Sequence, residues 1–297
     1  TFLECSVFNQ PLDSWGAYLG NVTTTKGMFD RCKSFNQPLN SWNLISLEDM
    51  TAMFARTDVF NQPLDNWGPK LVNVTTTSNL FDAAREFNQP LDNWGAYLGN
   101  VTSFKSMFNN ADAFNNGEAA GLSGASLNSW DVSSVENMDT VFARALSFNQ
   151  PIDQWDVSSV TTLRQSFLGC NLFNQNIDNW NVSNVVDLYK TFESCTAFNQ
   201  PLNTWGPLLG KVTNMSGTFN VCSSFNQPID QWDVGSVTTM TSFLRSAGSM
   251  SDQNYSDAIV SWELLPVQPN VVLDAWTTKR LNTTTVTDAY NILVSVN

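Results

Sequence analysis

The sequence predicts an α/β repeat solenoid in which about ten units of 25–27 residues stack along one axis. Three observations predict this fold: a phrase that recurs at a nearly fixed period, a pair of phenylalanines in every unit, and a proline followed by a short apolar run. Each unit is expected to supply one short parallel strand and one short helix.

The recurring phrase is Phe-Asn-Gln-Pro or a close variant. It starts at Phe8, Phe35, Phe60, Phe87, Phe114, Phe148, Phe173, Phe198 and Phe225, and Met250 continues the register. The intervals between the phenylalanine starts are 27, 25, 27, 27, 34, 25, 25 and 27 residues, and a tryptophan follows most starts after seven residues. A period in this range is typical of units that stack to bury a continuous core.

A second phenylalanine lies six residues before each start. These residues are Phe2, Phe29, Phe54, Phe81, Phe108, Phe142, Phe167, Phe192 and Phe219. Eighteen of the twenty phenylalanines therefore occupy two positions of the unit. We expect each to stack on its counterparts in neighbouring units, because this removes its apolar surface from water.

Proline and apolar spacing predict the elements within each unit. Proline has no N–H and cannot lie in the middle of a sheet ladder, so a strand is predicted to begin at positions such as Pro151 and run through Leu-Asp-x-Trp. Residues 160–167 place apolar side chains at i, i+3 and i+7, which predicts one or two helical turns. A strand and a helix in each unit would form a leucine-rich-repeat-like coil.

The predicted organisation is a solenoid over residues 1–250 and a C-terminal capping module over residues 251–297. Because Phe2 already occupies its register, the solenoid is expected to start inside a repeat, and the capping module is expected to be truncated. Residues 115–129, which include Gly117, Gly121 and Gly124, add about nine residues to one unit. This insertion is expected to project as a loop.

The units resemble those of the BspA-like leucine-rich-repeat surface proteins of bacteria and some protists. The resemblance is carried by phrases such as F-N-Q-P-I-D-Q-W-D-V-S-S-V at 148–160 and covers nearly the whole chain. Residues 255–296 are similar to that family's terminal module, except that Trp276 stands where the pattern has glycine. The resemblance implies an extracellular or surface-exposed adhesive or structural protein with varied ligands, and it supplies no catalytic residues.

Composition argues against several classes of function. The 27 acidic and 14 basic residues give a net charge of −13, so no basic patch to neutralise phosphates, and hence no nucleic-acid partner, is expected. No stretch approaches the roughly 20 apolar residues of a membrane helix. The chain has no histidine, which removes histidine-based acid–base catalysis, Ser-His-Asp triads and histidine metal sites. A non-enzymatic protein is therefore predicted.

Aspartates recur at two positions of the unit. Asp13, Asp65, Asp92, Asp153, Asp178 and Asp230 share one register, and Asp131, Asp156 and Asp233 share another three residues later. Stacking would place like charges about 5 Å apart. One interpretation is a calcium site with Asp65, Asp92, Asp153 and Asp178 as ligands, since calcium prefers oxygen ligands. The other is turn capping, which Asn40, Asn128 and Asn203 favour because they share the first register. No other cofactor is predicted.

The asparagine of Phe-Asn-Gln is present in all nine units that start with phenylalanine. These residues are Asn9, Asn36, Asn61, Asn88, Asn115, Asn149, Asn174, Asn199 and Asn226. A buried amide can satisfy backbone groups at a bend and bond to the equivalent asparagine above and below. The pattern predicts a structural asparagine ladder, with a ligand site as the alternative.

The five cysteines share one register, three residues before a start. Cys5, Cys32, Cys170, Cys195 and Cys222 alternate there with small residues, which predicts small buried side chains with free thiols. Disulfides between neighbouring units, Cys5–Cys32 or two of the other three, are the alternative if the Cα atoms lie within about 4.4–6.8 Å. The chain has no C-x-x-C motif, so zinc is not predicted.

Two surface patterns remain. Asn-x-Ser/Thr sequons occur at Asn21, Asn73, Asn100, Asn181, Asn214, Asn254 and Asn282. They are candidate glycosylation sites of a secreted glycoprotein, although chance accounts for their number. Threonine clusters such as 23–25 and 75–77 suggest a hydroxyl array of the ice-binding kind, but Glu136, Asn137, Val186 and Asp187 interrupt it.

The function predicted from these patterns is adhesion, or binding of a protein or glycan, at the cell surface or outside the cell. The chain would present an extended acidic face and rows of polar side chains, and binding would be spread over many repeats. The alternative is a self-assembling structural building block of an extracellular layer, sheath or filament.

Overall fold

The computed structural model describes residues 1–124, 126–269, 271–273, 285 and 287. Consecutive repeats are joined by single parallel β-bridges between equivalent residues. The bridged residues are Thr24, Asp49, Thr76, Ser103, Asn137, Thr162, Asp187, Asn214 and Thr239, each paired with the next. Among the described residues, the helices with defined bounds are short 3-10 helices at Asp13–Tyr18, Asp65–Lys70, Asp92–Tyr97 and Gly206–Leu208, and an α-helix, α1, at Asp252–Glu263.

The prediction of an α/β repeat solenoid with a strand and a helix in each unit is wrong. Within the described ranges no repeat contains an extended strand, and α1 follows the last repeat. The segment predicted as a strand, from proline through Leu-Asp-x-Trp, instead leads into a 3-10 helix at Asp13, Asp65 and Asp92 and forms turns in other repeats. The bridges lie elsewhere in the unit, in the segment whose apolar spacing predicts helical turns.

The segment predicted to be helical, which ends near the first phenylalanine of each unit, is a run of overlapping turns. The N–H of Cys32 donates to the carbonyl of Phe29 within the same repeat at 2.9 Å. The N–H groups of Gly27 and Phe29 instead donate to the carbonyls of Thr51 and Met53 in the next repeat, also at 2.9 Å. An α-helix would use these groups for its own i→i−4 bonds. Here alternate N–H groups point along the stack and hold the repeats together.

Two residues in each of these segments have left-handed backbone angles, one on either side of the first phenylalanine. Gly27 and Arg31 have φ of 59° and 62°, and Gln165 and Gly169 have φ of 56° and 71°. A residue with positive φ cannot continue a right-handed helix. This is why apolar spacing suited to a helix gives turns instead.

The core consists of columns of aromatic rings. The ring centroid of Phe167 lies 5.8 Å from that of Phe142 and 5.6 Å from that of Phe192, its counterparts in the two neighbouring repeats. Within its own repeat, Phe167 stacks on Phe173 at 4.4 Å. These columns are the phenylalanine stacking that the sequence predicts.

The tryptophans form a third column and bond across repeats. The indole N–H of Trp180 donates to the carbonyl of Ile152 at 3.0 Å, and that of Trp205 donates to the carbonyl of Ile177 at 3.0 Å. Each buried indole of the repeats from Trp42 to Trp232 therefore has a hydrogen-bond acceptor in the preceding repeat, as buried polar groups require.

Helix α1 covers one end of the aromatic columns. The ring of Trp262 lies 6.1 Å from that of Phe243, and Tyr255, Ala258 and Ile259 are also buried. The side chain of Ser251 accepts a hydrogen bond from the N–H of Asn254 and caps the helix. The predicted capping module of residues 251–297 contains α1, but Trp276 and most of its other residues after 269 lie outside the described residues.

Candidate binding surface

The asparagines of Phe-Asn-Gln and the glutamines that follow them form a row that we call the amide ladder. The side-chain oxygen of Asn174 accepts hydrogen bonds from the backbone N–H of Asn199 at 2.9 Å and from Nε2 of Gln200 at 3.1 Å. The same arrangement of asparagine oxygen and backbone N–H runs without a break through Asn9, Asn36, Asn61, Asn88, Asn115, Asn149, Asn174, Asn199 and Asn226.

The ladder differs in one respect from the sequence expectation. The sequence predicts bonds to backbone groups and to the amides of equivalent asparagines; in the structure, each oxygen accepts from the backbone N–H of the next asparagine and, in most repeats, from the side chain of the next glutamine. Stacking therefore needs only the oxygen of each asparagine. The NH2 group can donate to another acceptor.

The insertion supplies such acceptors. The sequence predicts that the insertion projects as a loop. Residues 117–124 instead lie along the amide ladder. Their backbone carbonyls accept hydrogen bonds of 2.6–2.9 Å from ladder amides: Asn88 to Glu118, Asn115 to Ala119 and Leu122, Asn149 to Gly121, and Gln150 to Leu122. Asn115 and Gln150 are fully buried beneath the loop.

The aspartates proposed as calcium ligands accept hydrogen bonds from neighbouring repeats. Their donors, at 2.8–2.9 Å, are Asn40 for Asp65, Asn116 for Asp92, Asn128 for Asp153, and the backbone N–H of Thr204 for Asp178. The bond from Asn128 lowers the pKa of Asp153. Each of these four carboxylates thus has a neutral hydrogen-bond donor in a neighbouring repeat, which stabilises its charged form.

Calcium binding stays a prediction, and the arrangement of the side chains gives it little support. In the part of the chain that the structure describes, no group of three or more His, Cys, Asp and Glu residues could hold a metal ion. The second aspartate register caps turns. Asp156 accepts from the N–H and the hydroxyl of Ser158, which lowers the pKa of Asp156.

An exposed row, which we call the threonine row, lies one residue before the bridges. Its members are Thr23, Glu48, Thr75, Thr102, Glu136, Thr161, Val186, Thr213 and Thr238. The N–H of Thr102 donates to the carbonyl of Thr75 at 3.0 Å, and that of Thr161 donates to the carbonyl of Glu136 at 2.9 Å. These backbone bonds keep the side chains of the row in register, and Glu48, Glu136 and Val186 interrupt its hydroxyl groups.

The cysteines are free thiols in the structure, so it contains neither Cys5–Cys32 nor a disulfide among the other three. Cys5 is exposed and the other four are buried. Burial raises the pKa of Cys32 to about 11 and also raises the pKa values of Cys170, Cys195 and Cys222. The buried thiols donate to phenylalanine carbonyls of the preceding repeat, as Cys195 does to Phe167 at 2.8 Å.

We expect native protein to react with a thiol reagent at one cysteine, because only Cys5 is exposed and thiolates are the reactive species. Counting modified thiols with Ellman's reagent should give one fast equivalent before denaturation and five after it. Cys5→Ser should remove the fast phase and leave four slow equivalents. A count of three in the unfolded wild type without reductant would reveal a disulfide.

The candidate glycosylation sites differ in exposure. Asn21, Asn73, Asn100 and Asn181 are exposed, Asn214 is half-buried at a bridge, and Asn282 lies outside the described residues. Asn254 lies in α1, and its side-chain nitrogen donates to the oxygen of Asn226 at 2.9 Å. A glycan on that nitrogen would disrupt the end of the ladder. Glycosylation of the four exposed sites stays a prediction.

A protein-family model described as "Mycoplasma protein of unknown function, DUF285" matches three consecutive segments, residues 1–121, 117–208 and 209–288. The three matches cover nearly the whole chain, in agreement with its repetitive structure. No curated protein sequence matches the chain. No helix among the described residues has the length and apolar character needed to cross a membrane.

Proposed function

The chain belongs to the DUF285 family of repeat proteins, and we propose that it is a non-enzymatic binding protein at the cell surface or outside the cell. Its partners would be proteins or glycans, and its role would be adhesion. The resemblance of its units to those of BspA-like surface proteins supports this proposal. The charge of −13 favours neutral or basic partners over phosphate polymers.

The observation that carries the proposal is the unbroken register of the repeats. Parallel bridges link nine equivalent residues from Thr24 to Thr239, so side chains at each position of the unit recur in rows. The spacing in such a row is about 4.8 Å. Rows of this kind suit an extended partner that makes many weak contacts, because linked contacts raise the overall affinity without any single strong one.

The alternative, a self-assembling structural block, is less well supported. Helix α1 packs Trp262 against Phe243 and covers the aromatic columns at that end of the repeats. A second copy could continue the columns there only by displacing α1. This contact favours binding over head-to-tail assembly.

Charge reversal on the threonine row tests the proposal. Wild type should bind a subset of glycans or extracellular matrix proteins on an array and sediment as a monomer at all concentrations. Glu48→Lys with Glu136→Lys should change this binding, because both residues are exposed on the row. Glu86→Lys with Asp257→Lys changes the net charge equally at exposed positions off the row and should leave binding unaltered. Failure to bind any probe, together with assembly that grows with concentration, would favour the alternative.

A further inference from the structure

The loop of residues 117–124 occupies the amide ladder as a bound peptide would. Its backbone carbonyls accept from the side chains of Asn88, Asn115, Asn149 and Gln150. The N–H of Gly117 in turn donates to the oxygen of Asn88 at 3.0 Å. The loop therefore makes backbone contacts with three consecutive repeats.

The repeat beneath the loop is complete without it. If residues 117–125 are removed, Asn116 joins Ser126, and the sequence becomes F-N-N-S-L-N-S-W, which has the length and pattern of F-N-Q-P-L-N-S-W at 35–42. The interval from Phe114 to Phe148 would fall from 34 to 25 residues, the ordinary spacing. The loop is thus an addition to the ladder and not one of the groups that build it.

The donors that hold the loop are open elsewhere on the ladder. At Asn36, Asn61, Asn174 and Asn199 the side-chain oxygen is used for stacking, as it is under the loop. Their NH2 groups donate to no acceptor within residues 1–124, 126–269 and 271–273, and all four side chains are half-buried. Replacing water on such a half-buried donor with a protein acceptor gives a modest net gain in free energy at each bond.

We propose that the two open stretches of the ladder, at Asn36 with Asn61 and at Asn174 with Asn199, bind a short polypeptide segment of a partner protein through its backbone carbonyls. This inference rests on the proposed binding function and names one class of partner for it. The loop supplies the argument for a peptide, since its own contacts with the ladder are made by backbone atoms.

The loop also indicates which residues such a segment would carry. A Cβ atom on Gly121 would lie 3.2 Å from Cδ1 of Leu172, and one on Gly117 would lie 3.2 Å from Cδ of Pro90. Both glycines have positive φ, 75° and 86°. A partner segment that follows the same path therefore needs glycine or other small residues where it crosses the ladder.

The test uses a fluorescein-labelled peptide with the sequence of residues 116–124, N-G-E-A-A-G-L-S-G, and fluorescence anisotropy with the full chain. We expect saturable binding. In a variant with aspartate at residues 36, 61, 174 and 199, affinity should fall at least about tenfold, because each site loses two donors while aspartate keeps the oxygen that stacking needs. A control with aspartate at the exposed residues 21, 43, 93 and 181 has the same charge and should bind as wild type.

A deletion of residues 117–125 provides a second test of the proposal. The deletion exposes the donors of Asn88, Asn115 and Asn149 and should add one peptide site, and Asn115→Asp in that background should remove it. Thermal melting of each variant verifies folding. Equal peptide affinity in wild type and in the four-aspartate variant, or no binding by any form, would overturn the ladder proposal.

The two proposals fail separately. Array binding that depends on the threonine row, without peptide binding, would leave the general function standing and reject the ladder as a peptide site. Peptide binding that depends on the ladder, without any array binding, would support the ladder and reject the adhesive role.

Discussion

Replacing Phe167 with alanine should lower the free energy of unfolding by about 3–5 kcal/mol. The Phe167 ring stacks on Phe142 and Phe192 in the repeats on either side and on Phe173 in its own repeat. Its side chain is 1% exposed, so truncation leaves a cavity enclosed by rings that are themselves fixed in columns. Urea denaturation followed by tryptophan fluorescence would measure the loss.

The matched control is Phe2→Ala. Phe2 is half-buried and has a stacking partner in only one neighbouring repeat, Phe29 at 5.7 Å. The cost of truncation there should be much smaller, because solvent already reaches the site and one interface is involved instead of two. Equal losses at Phe2 and Phe167 would contradict a stack in which each repeat is stabilised by its immediate neighbours.

The period and the large apolar positions could be predicted because they depend on side chains alone. A phenylalanine ring that recurs at one register can be buried by packing against the equivalent rings of the neighbouring repeats. The columns around Phe167 follow from this. The glutamine partners of the ladder oxygens are also visible in the sequence, directly after eight of the nine asparagines. The asparagine register by itself does not reveal these partners, because the two residue types bond between repeats and not within one.

The backbone could not be predicted in the same way. Apolar residues in 160–167 fit a helix, yet Gln165 and Gly169 adopt positive φ, and glutamine gives no warning of this. The backbone conformation is determined by the neighbouring repeat. Its carbonyls accept hydrogen bonds from N–H groups that would bond within the segment if it were a helix. The glycines at 27, 169 and 217, which share these two registers, were the available hint.

The path of the insertion also depends on tertiary contacts. Glycine and alanine in residues 117–124 indicated a loop, but composition does not show where a loop lies. Its position follows from asparagine NH2 groups that stacking leaves open, and these become apparent only when the oxygen of each asparagine is seen to be the stacking group.

Replacing Asn199 with alanine should lower the free energy of unfolding by about 2 kcal/mol, since a donor left without its acceptor costs about 1–3 kcal/mol. The oxygen of Asn199 accepts from the N–H of Asn226 at 2.8 Å and from Nε2 of Gln227 at 3.0 Å. The glutamine can keep its second acceptor, the backbone carbonyl of Asn199 at 2.9 Å, but the backbone N–H of Asn226 cannot turn elsewhere. Urea denaturation would again measure the loss.

Asn199→Asp separates the two roles of the amide. Aspartate keeps the oxygen that accepts from Asn226 and loses only the NH2 group, so it should cost less than about 0.5 kcal/mol, as for an ordinary surface change. A cost equal to that of alanine would mean that the NH2 group, and not the oxygen, stabilises the stack. Aspartate in every repeat would place charges about 5 Å apart along the column, which explains why this register holds asparagine throughout. The Asp65 register can hold carboxylates because amides such as Asn40 donate to them.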